Sequence, residues 1–291
     1  MPTEQPNPRT RGIDRRSTLD VVRLINEEDR RVALAVGRVA RELARGVDAV
    51  AAALAGGGGV LFLGAGTSGR LAVLEAAECP PTFNTTPRQV RAVIAGGRRS
   101  VFRAKEGAED DPALGRKAAA AVRRGDAVVG IAASGVTPFV NAALAEARRR
   151  GASTILVTSN GRPRGAAADI VIAPDVGPEV VTGSTRLKSG TAAKLVLNAL
   201  TTGAMIRVGK VHDHWMVDLK PTSRKLRLRG ERITADLGRV PPARARSLFR
   251  AADGSVKTAV VMARLRVDAP AARRALARAG GVLRRALESA A

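Results

Sequence analysis

The sequence predicts an α/β protein: a doubly wound, five-stranded parallel sheet flanked by helices, followed by a small C-terminal helical domain. Three observations predict it. Five short apolar segments rich in β-branched residues alternate with helical patterns, the strand–loop–helix–strand repetition that wires a parallel sheet. Hydrophobic residues make up 45% of the chain but aromatics only 2%, with no tyrosine. The core must therefore come from Ala, Val, Leu and Ile, which suits helices packed on a buried sheet. The 291 residues can hold one large domain with a small appendix, or two modest domains.

The elements follow in order. Residues 1–46 read as an arm and helices. Met1 to Arg16 is polar with no apolar core, unlike a signal peptide. Ser17 caps a helix expected to break near Asn26-Glu27-Glu28-Asp29, and a second helix runs from about Arg31 to Leu54. Gly56 to Gly59 stop it and interrupt the uncharged stretch from Ala49 to Ser68, so that stretch cannot span a membrane. Residues 47–210 form the main domain, with strands at Val60–Leu63, Val90–Ile94, Ala127–Ala132, Thr154–Thr158 and Ile170–Ala173. Helices are expected near 68–79, 101–123 and 138–150, the first stopped by Pro80-Pro81, and a long one from about Arg186 to Val208. Residues 211–234 read as a connector. The segment 235–291 reads as a small helical domain punctuated by Pro241-Pro242, Asp253-Gly254 and Ala269-Pro270.

The loop after the first strand, Gly64-Ala65-Gly66-Thr67-Ser68-Gly69, matches a dinucleotide fingerprint in its glycines alone. A dinucleotide site also needs an acid at the end of the second strand for the ribose hydroxyls. That strand ends in Ala95-Gly96-Gly97-Arg98-Arg99, with no acid. Thr67 and Ser68 instead set hydroxyls at a helix N-terminus, where free amides and the helix dipole favour a phosphate. Similar loops follow the third strand, Ser134-Gly135-Val136-Thr137-Pro138, with Thr137 as N-cap, and the fifth, Thr182 to Gly190. In a parallel sheet all three emerge at the carboxyl edge, where ligands bind. The helix after the first loop carries Glu75 and Glu78, which suits acid/base chemistry on a phosphorylated small molecule.

Several blocks along nearly the whole chain resemble a known family. They include Thr3-Glu4 with Asn7 and Thr10, Ile25 to Asp29, Leu63 to Arg70, Glu78-Cys79-Pro80-Pro81-Thr82 and Glu106-Gly107-Ala108-Glu109-Asp110. Further on come Gly130 to Gly135 with Thr137-Pro138, Glu179 to Ser184, Lys188-x-Gly190-Thr191 and Met216-Val217-Asp218. The chain resembles the bacterial N-acetylmuramic acid 6-phosphate etherases, built on the sugar isomerase (SIS) fold. The resemblance implies cleavage of the lactyl ether of that sugar to N-acetylglucosamine 6-phosphate and D-lactate, in cytoplasmic cell-wall sugar recycling. It implies two catalytic glutamates, Glu78 and Glu109, no metal or organic cofactor, and a homodimer in which the arm or a neighbouring loop crosses to the partner. Ser223 departs from the family's Asn, and Arg239 to Arg250 is unusually arginine-rich.

Elimination requires one carboxyl as base and another as acid. Glu78, ending a helix against Cys79-Pro80-Pro81, is expected in apolar surroundings that favour its protonated form, and Glu109, beside Asp110 and Asp111, is the expected base; the reverse assignment is the alternative. Ser68, Gly69, Ser134 and Thr137 are the candidates for the phosphate and Ser184 for the sugar, with Arg70 and Lys188 supplying charge. Glu75 and Glu106 are expected to be solvated or structural. The alternatives are a phosphosugar-binding regulator without catalysis and an aldose–ketose isomerase of the same fold. The net charge of +23 points toward nucleic acid, but the arginines are dispersed and stacking aromatics are nearly absent, so a solvated basic surface is the expectation. Cys79, the single cysteine, excludes a disulfide framework, and His212 with His214 make a poor metal set.

Overall fold

Strand β1, Val60–Gly64, is buried along its length and pairs on both sides, with β2, Val90–Ile94, and β3, Ala127–Ile131. β4, Ser153–Val157, joins β3, and β5, Ile170–Ile172, joins β4. Every pairing is parallel and the order is β2-β1-β3-β4-β5, the expected five strands with ends shifted by about one residue. The computed structural model describes residues 1–161 and 167–289, so the last two residues of the expected tail lie outside it.

The described chain divides into two compact units, residues 1–77 with 88–203, and residues 78–87 with 204–291. The first holds helices α1, Thr18–Arg38, and α2, Ala40–Ala55, and most of α3, Gly66–Phe83. It also holds α4, Pro112–Ala118, α5, Pro138–Arg149, and most of α6, Lys188–Arg207. One core joins Leu61, Leu63, Val128 and Leu156 of the sheet to Phe139, Val140 and Leu144 of α5. Gly130 makes this contact close: a Cβ there would lie 2.7 Å from Val140 Cγ1. On α2, a Cβ at Gly46 would lie 2.8 Å from Leu200 of α6 and 3.0 Å from Ile172 of β5, so α2 also seats tightly.

The second unit contains a two-stranded ribbon, β6 at Val211–His212 and β7 at Trp215–Met216. Five helices follow: α7, Arg224–Gly238, α8, Pro242–Ala251, α9, Val256–Leu265, α10, Ala269–Arg278, and α11, Leu283–Glu288. Val217, Ile233, Phe249, Val260 and Leu276 share its core. Asp218 ties it together by accepting from Lys210 and Lys257, each at 2.9 Å. Ser223 caps α7 by accepting from the Leu226 amide, a role an Asn would serve equally. Among the described residues no helix is long and apolar enough to cross a membrane.

Three helix expectations are corrected. α1 runs unbroken through Asn26 to Asp29, none of which is a breaker, and the chain turns only at Val39. Pro80-Pro81 does not stop α3. The prolines forgo two amide donors, but the helix closes another turn through Asn84 N–H to Pro80 O (2.9 Å), then ends as Asn84 turns left-handed at φ 52°. The pattern over 101–123 shrinks to α4. Gly107 at φ 72° breaks the chain upstream, and Asp111 caps the helix by accepting from the Ala113 and Leu114 amides.

Candidate active site

The chain leaves β1 toward β2 on one side and β3 lies on the other, so the loops after β1 and β3 part at a topological switch point, where such sheets bind ligands. Gly64 must be glycine here, because a Cβ would lie 2.8 Å from Ser68 C and 3.0 Å from Ile131 O. Gly66 takes φ 51° to start α3, bringing the amides and hydroxyls of Thr67 and Ser68 to the sheet edge. Ser68 lines a hydroxyl-rich cavity of about 10 Å³ with Thr158, Ser159, Thr185 and Ser189, room for one water. Thr185 and Ser189 belong to the expected third loop, whereas Thr158 and Ser159 after β4 were not foreseen.

After β3 the loop is held rigidly. Ser134 Oγ accepts from the Val136 amide (3.2 Å), Asn160 Nδ2 donates to Ser134 O (3.0 Å), and Thr158 Oγ1 donates to Ala133 O (3.0 Å). Thr137 occupies the N-cap position of α5 and Pro138 its first turn, but the Thr137 hydroxyl makes no capping bond and remains available. The Glu109 carbonyl accepts from the Phe139 amide at 3.0 Å, which pins Glu109 to the start of α5 beside this loop. Glu109 is exposed and lines an open cleft of about 210 Å³ with Gly66, Arg70, Ser100, Lys105 and Glu106. Lys105 is a cation the sequence reading missed.

Glu78 is exposed on α3, ten residues beyond Ser68, so the expected apolar enclosure is absent: Cys79 is buried while Glu78 points away from that burial. Glu75 is buried and structural, accepting from Lys194 Nζ at 2.9 Å and Thr201 Oγ1 at 2.5 Å. Ser184 is half-buried on the loop before α6.

Three expected contributors make scaffold contacts. Gly69 donates its amide to Ala65 O, and a Cβ there would lie 2.5 Å from Ile94 Cγ1, so its smallness seats α3 on β2. Arg70 Nε donates to Val101 O (2.8 Å) and Nη2 to Ser100 O (3.1 Å), which occupies the guanidinium. Lys188 is fully buried and its Nζ donates to Glu28 Oε2 at 2.7 Å. Glu28 is equally buried, and the Arg9 guanidinium, with Lys188 and Asn7, holds its carboxyl down at about 2. The arm is thereby anchored on its own chain: Asn7 donates to Glu28 and Thr3 O accepts from the Gly183 amide. Glu179, also fully buried, accepts from the Lys188 and Ser189 amides and from Ser189 Oγ, capping α6. Much of the Glu179–Ser184 block is therefore architecture beneath the site.

His214 Nδ1 sits 2.9 Å from Asp213 Oδ2, and burial, then Arg284, pushes the His212 imidazole down. No group of three His, Cys, Asp or Glu side chains suited to a metal occurs among the described residues.

Residues 42–148 match the family model of the glucokinase regulatory protein N-terminal SIS domain, and residues 107–203 match the SIS domain. The chain is 54% identical over 252 residues to an N-acetylmuramic acid 6-phosphate etherase of Symbiobacterium thermophilum, covering 86% of this chain and 84% of that one. It is 46% identical over 286 residues to a protein of the same name from Aeromonas hydrophila, covering 97% and 96%. A third, from Salinibacter ruber, is 47% identical over 292 residues, covering 99% and 94%.

Proposed function

The chain belongs to the N-acetylmuramic acid 6-phosphate etherase family, and from that premise we propose that it is a carbon–oxygen lyase releasing D-lactate from N-acetylmuramic acid 6-phosphate. The observation that carries this reading is the 54% identity spread over 86% of the chain. The site fits it. Hydroxyls of Ser68, Ser134 and Thr137 and the Thr67 and Ser68 amides at the start of α3 receive the phosphate, and Ser184 faces the sugar. Gly69 and Lys188 do not enter this set, because packing and the Glu28 pair occupy them.

The mechanism follows from the bond to be broken. An alkoxide is a poor leaving group, so the ether needs activation. In the ring-opened sugar the C1 aldehyde acidifies the C2 proton. Glu109 removes that proton, the C3–O bond breaks, and Glu78 protonates the departing lactyl oxygen. The now ionised Glu78 takes a proton from the water whose oxygen adds to C3 of the unsaturated aldehyde, and the Glu109 carboxyl, which exchanges its proton with solvent, delivers one to C2. The net change consumes one water and yields N-acetylglucosamine 6-phosphate and D-lactate. Both carboxyls are exposed, and their roles as base and acid are part of this proposal.

The enzyme acts in this reading as a homodimer in the cytoplasm, where a charged sugar phosphate is retained. Exposed Leu19, Val22 and Leu34 along α1 offer an apolar face for the second copy. The match over residues 42–148 favours one other reading, a sugar-phosphate-binding module that does not turn over.

The test is turnover in ¹⁸O-labelled water. Elimination and hydration place the label on the C3 hydroxyl of the sugar and leave lactate unlabelled. Label in lactate would contradict the elimination. Sugar-phosphate binding without lactate release would favour the regulator.

A further inference from the structure

At the opposite, amino-terminal edge of the sheet, the turns leading into β1, β2 and β3 enclose a cavity of about 300 Å³. Arg88, Arg91, Arg123 and Arg124 line it, with Gly56 to Gly59 as its floor and Asp126 as its one carboxylate. Four guanidiniums less one carboxylate leave an excess of three positive charges.

Asp126 is already committed. It is buried, its Oδ1 accepts from the Gly59 amide (2.8 Å), and its Oδ2 accepts from the Arg123 amide (3.0 Å) and lies 3.5 Å from Arg91 Nη2. Arg91 Nε is buried with no hydrogen-bond partner, although burying a donor unmatched is costly. Among the described residues no carboxylate pairs with Arg88, Arg123 or Arg124.

The floor is built, not incidental. A Cβ at Gly58 would lie 2.6 Å from Gly125 O, and one at Gly59 would lie 2.6 Å from Arg88 O, so only glycine lets the three turns meet. Its amides are all engaged, those of Gly56, Gly57 and Gly58 with Ala52, Leu54 and Ala53 carbonyls. Recognition therefore falls to the guanidiniums, whose planar forks match phosphate oxygens bidentately.

We propose that this cavity binds a compact polyanion of the diphosphate class, at a site separate from the sugar-phosphate loops on the carboxyl edge. Like charges gathered without counterions repel, and an anion bearing two or three charges matches the excess. The volume stands at the lower bound of small-ligand pockets.

The experiment is calorimetric titration of the full chain with inorganic pyrophosphate near physiological salt. The pocket variant is Arg88→Gln/Arg124→Gln, and a charge-matched control is Arg224→Gln/Arg227→Gln on α7. All four side chains are exposed, so folding should survive, which circular dichroism verifies. The expected result is saturable one-to-one binding, weakened at least tenfold in the pocket variant and unchanged in the control. Lactate release without pyrophosphate should match wild type in both. Equal weakening in both variants, or no saturable binding, would overturn the proposal by reducing it to net charge. Full competition by N-acetylmuramic acid 6-phosphate would overturn it by placing the anion in the active site.

Discussion

Glu28 shows how a residue can look like surface and act as core. It lies in a polar run, yet is fully buried among Asn7, Arg9 and Lys188, whose partner positions stand 21, 19 and 160 residues away. No local pattern announces such a contact, and for the same reason Lys188 reads in sequence as a phosphate cation. Because the folded carboxyl sits at about 2 against an ordinary 4.5, its ionisation stabilises the fold fully above pH 4.5 and that contribution is lost as pH falls toward 2. The shift corresponds to on the order of 3 kcal/mol. Urea titrations between pH 7 and 3 should show this loss, and Glu28→Gln should flatten it. Lys188→Met leaves the buried carboxylate to Arg9 and Asn7 and should lower stability by about 1.5–3 kcal/mol, the cost of one charged hydrogen bond. The proposed pair Glu78 and Glu109 stands out only through its sequence blocks, since both are exposed glutamates of ordinary appearance.

At the scale of elements, the strands and the three hydroxyl loops were legible because apolar runs bounded by glycines leave few alternatives in a parallel sheet. Helix ends were less so. Two prolines read as a stop, yet α3 ends at a left-handed Asn84; Asn84→Gly should stabilise by about 0.5–1 kcal/mol in thermal unfolding, since glycine takes this conformation freely. α4 and α5 meet so closely that a Cβ at Gly115 would lie 2.1 Å from Phe139 O. Phe139 also holds Glu109 in place. Gly115→Ala should therefore cost about 1–3 kcal/mol and also lower kcat, because the shift reaches the loop of the proposed base Glu109. Unchanged kcat in the folded variant would detach Glu109 from that anchor.

Over the whole molecule, charge and composition say less than topology. The excess of +23 is spread over both units, and any nucleic-acid binding should be non-specific and fall steeply with salt between 50 and 200 mM, as filter binding would reveal. Strand order places the β1 and β3 loops side by side; the parallel assignment foresees only that they share the carboxyl edge. The arginine cavity could not be foreseen, because its members come from three separate turns at the opposite edge. The central claim is a two-carboxyl elimination, and one measurement separates its halves: D-lactate release and C2 deuterium incorporation, followed together in D₂O for wild type, Glu78→Gln and Glu109→Gln. Wild type should do both. Glu109→Gln should lose both by at least about 100-fold, while Glu78→Gln keeps C2 exchange and loses lactate release. Lactate release at the wild-type rate by either folded variant would contradict the account.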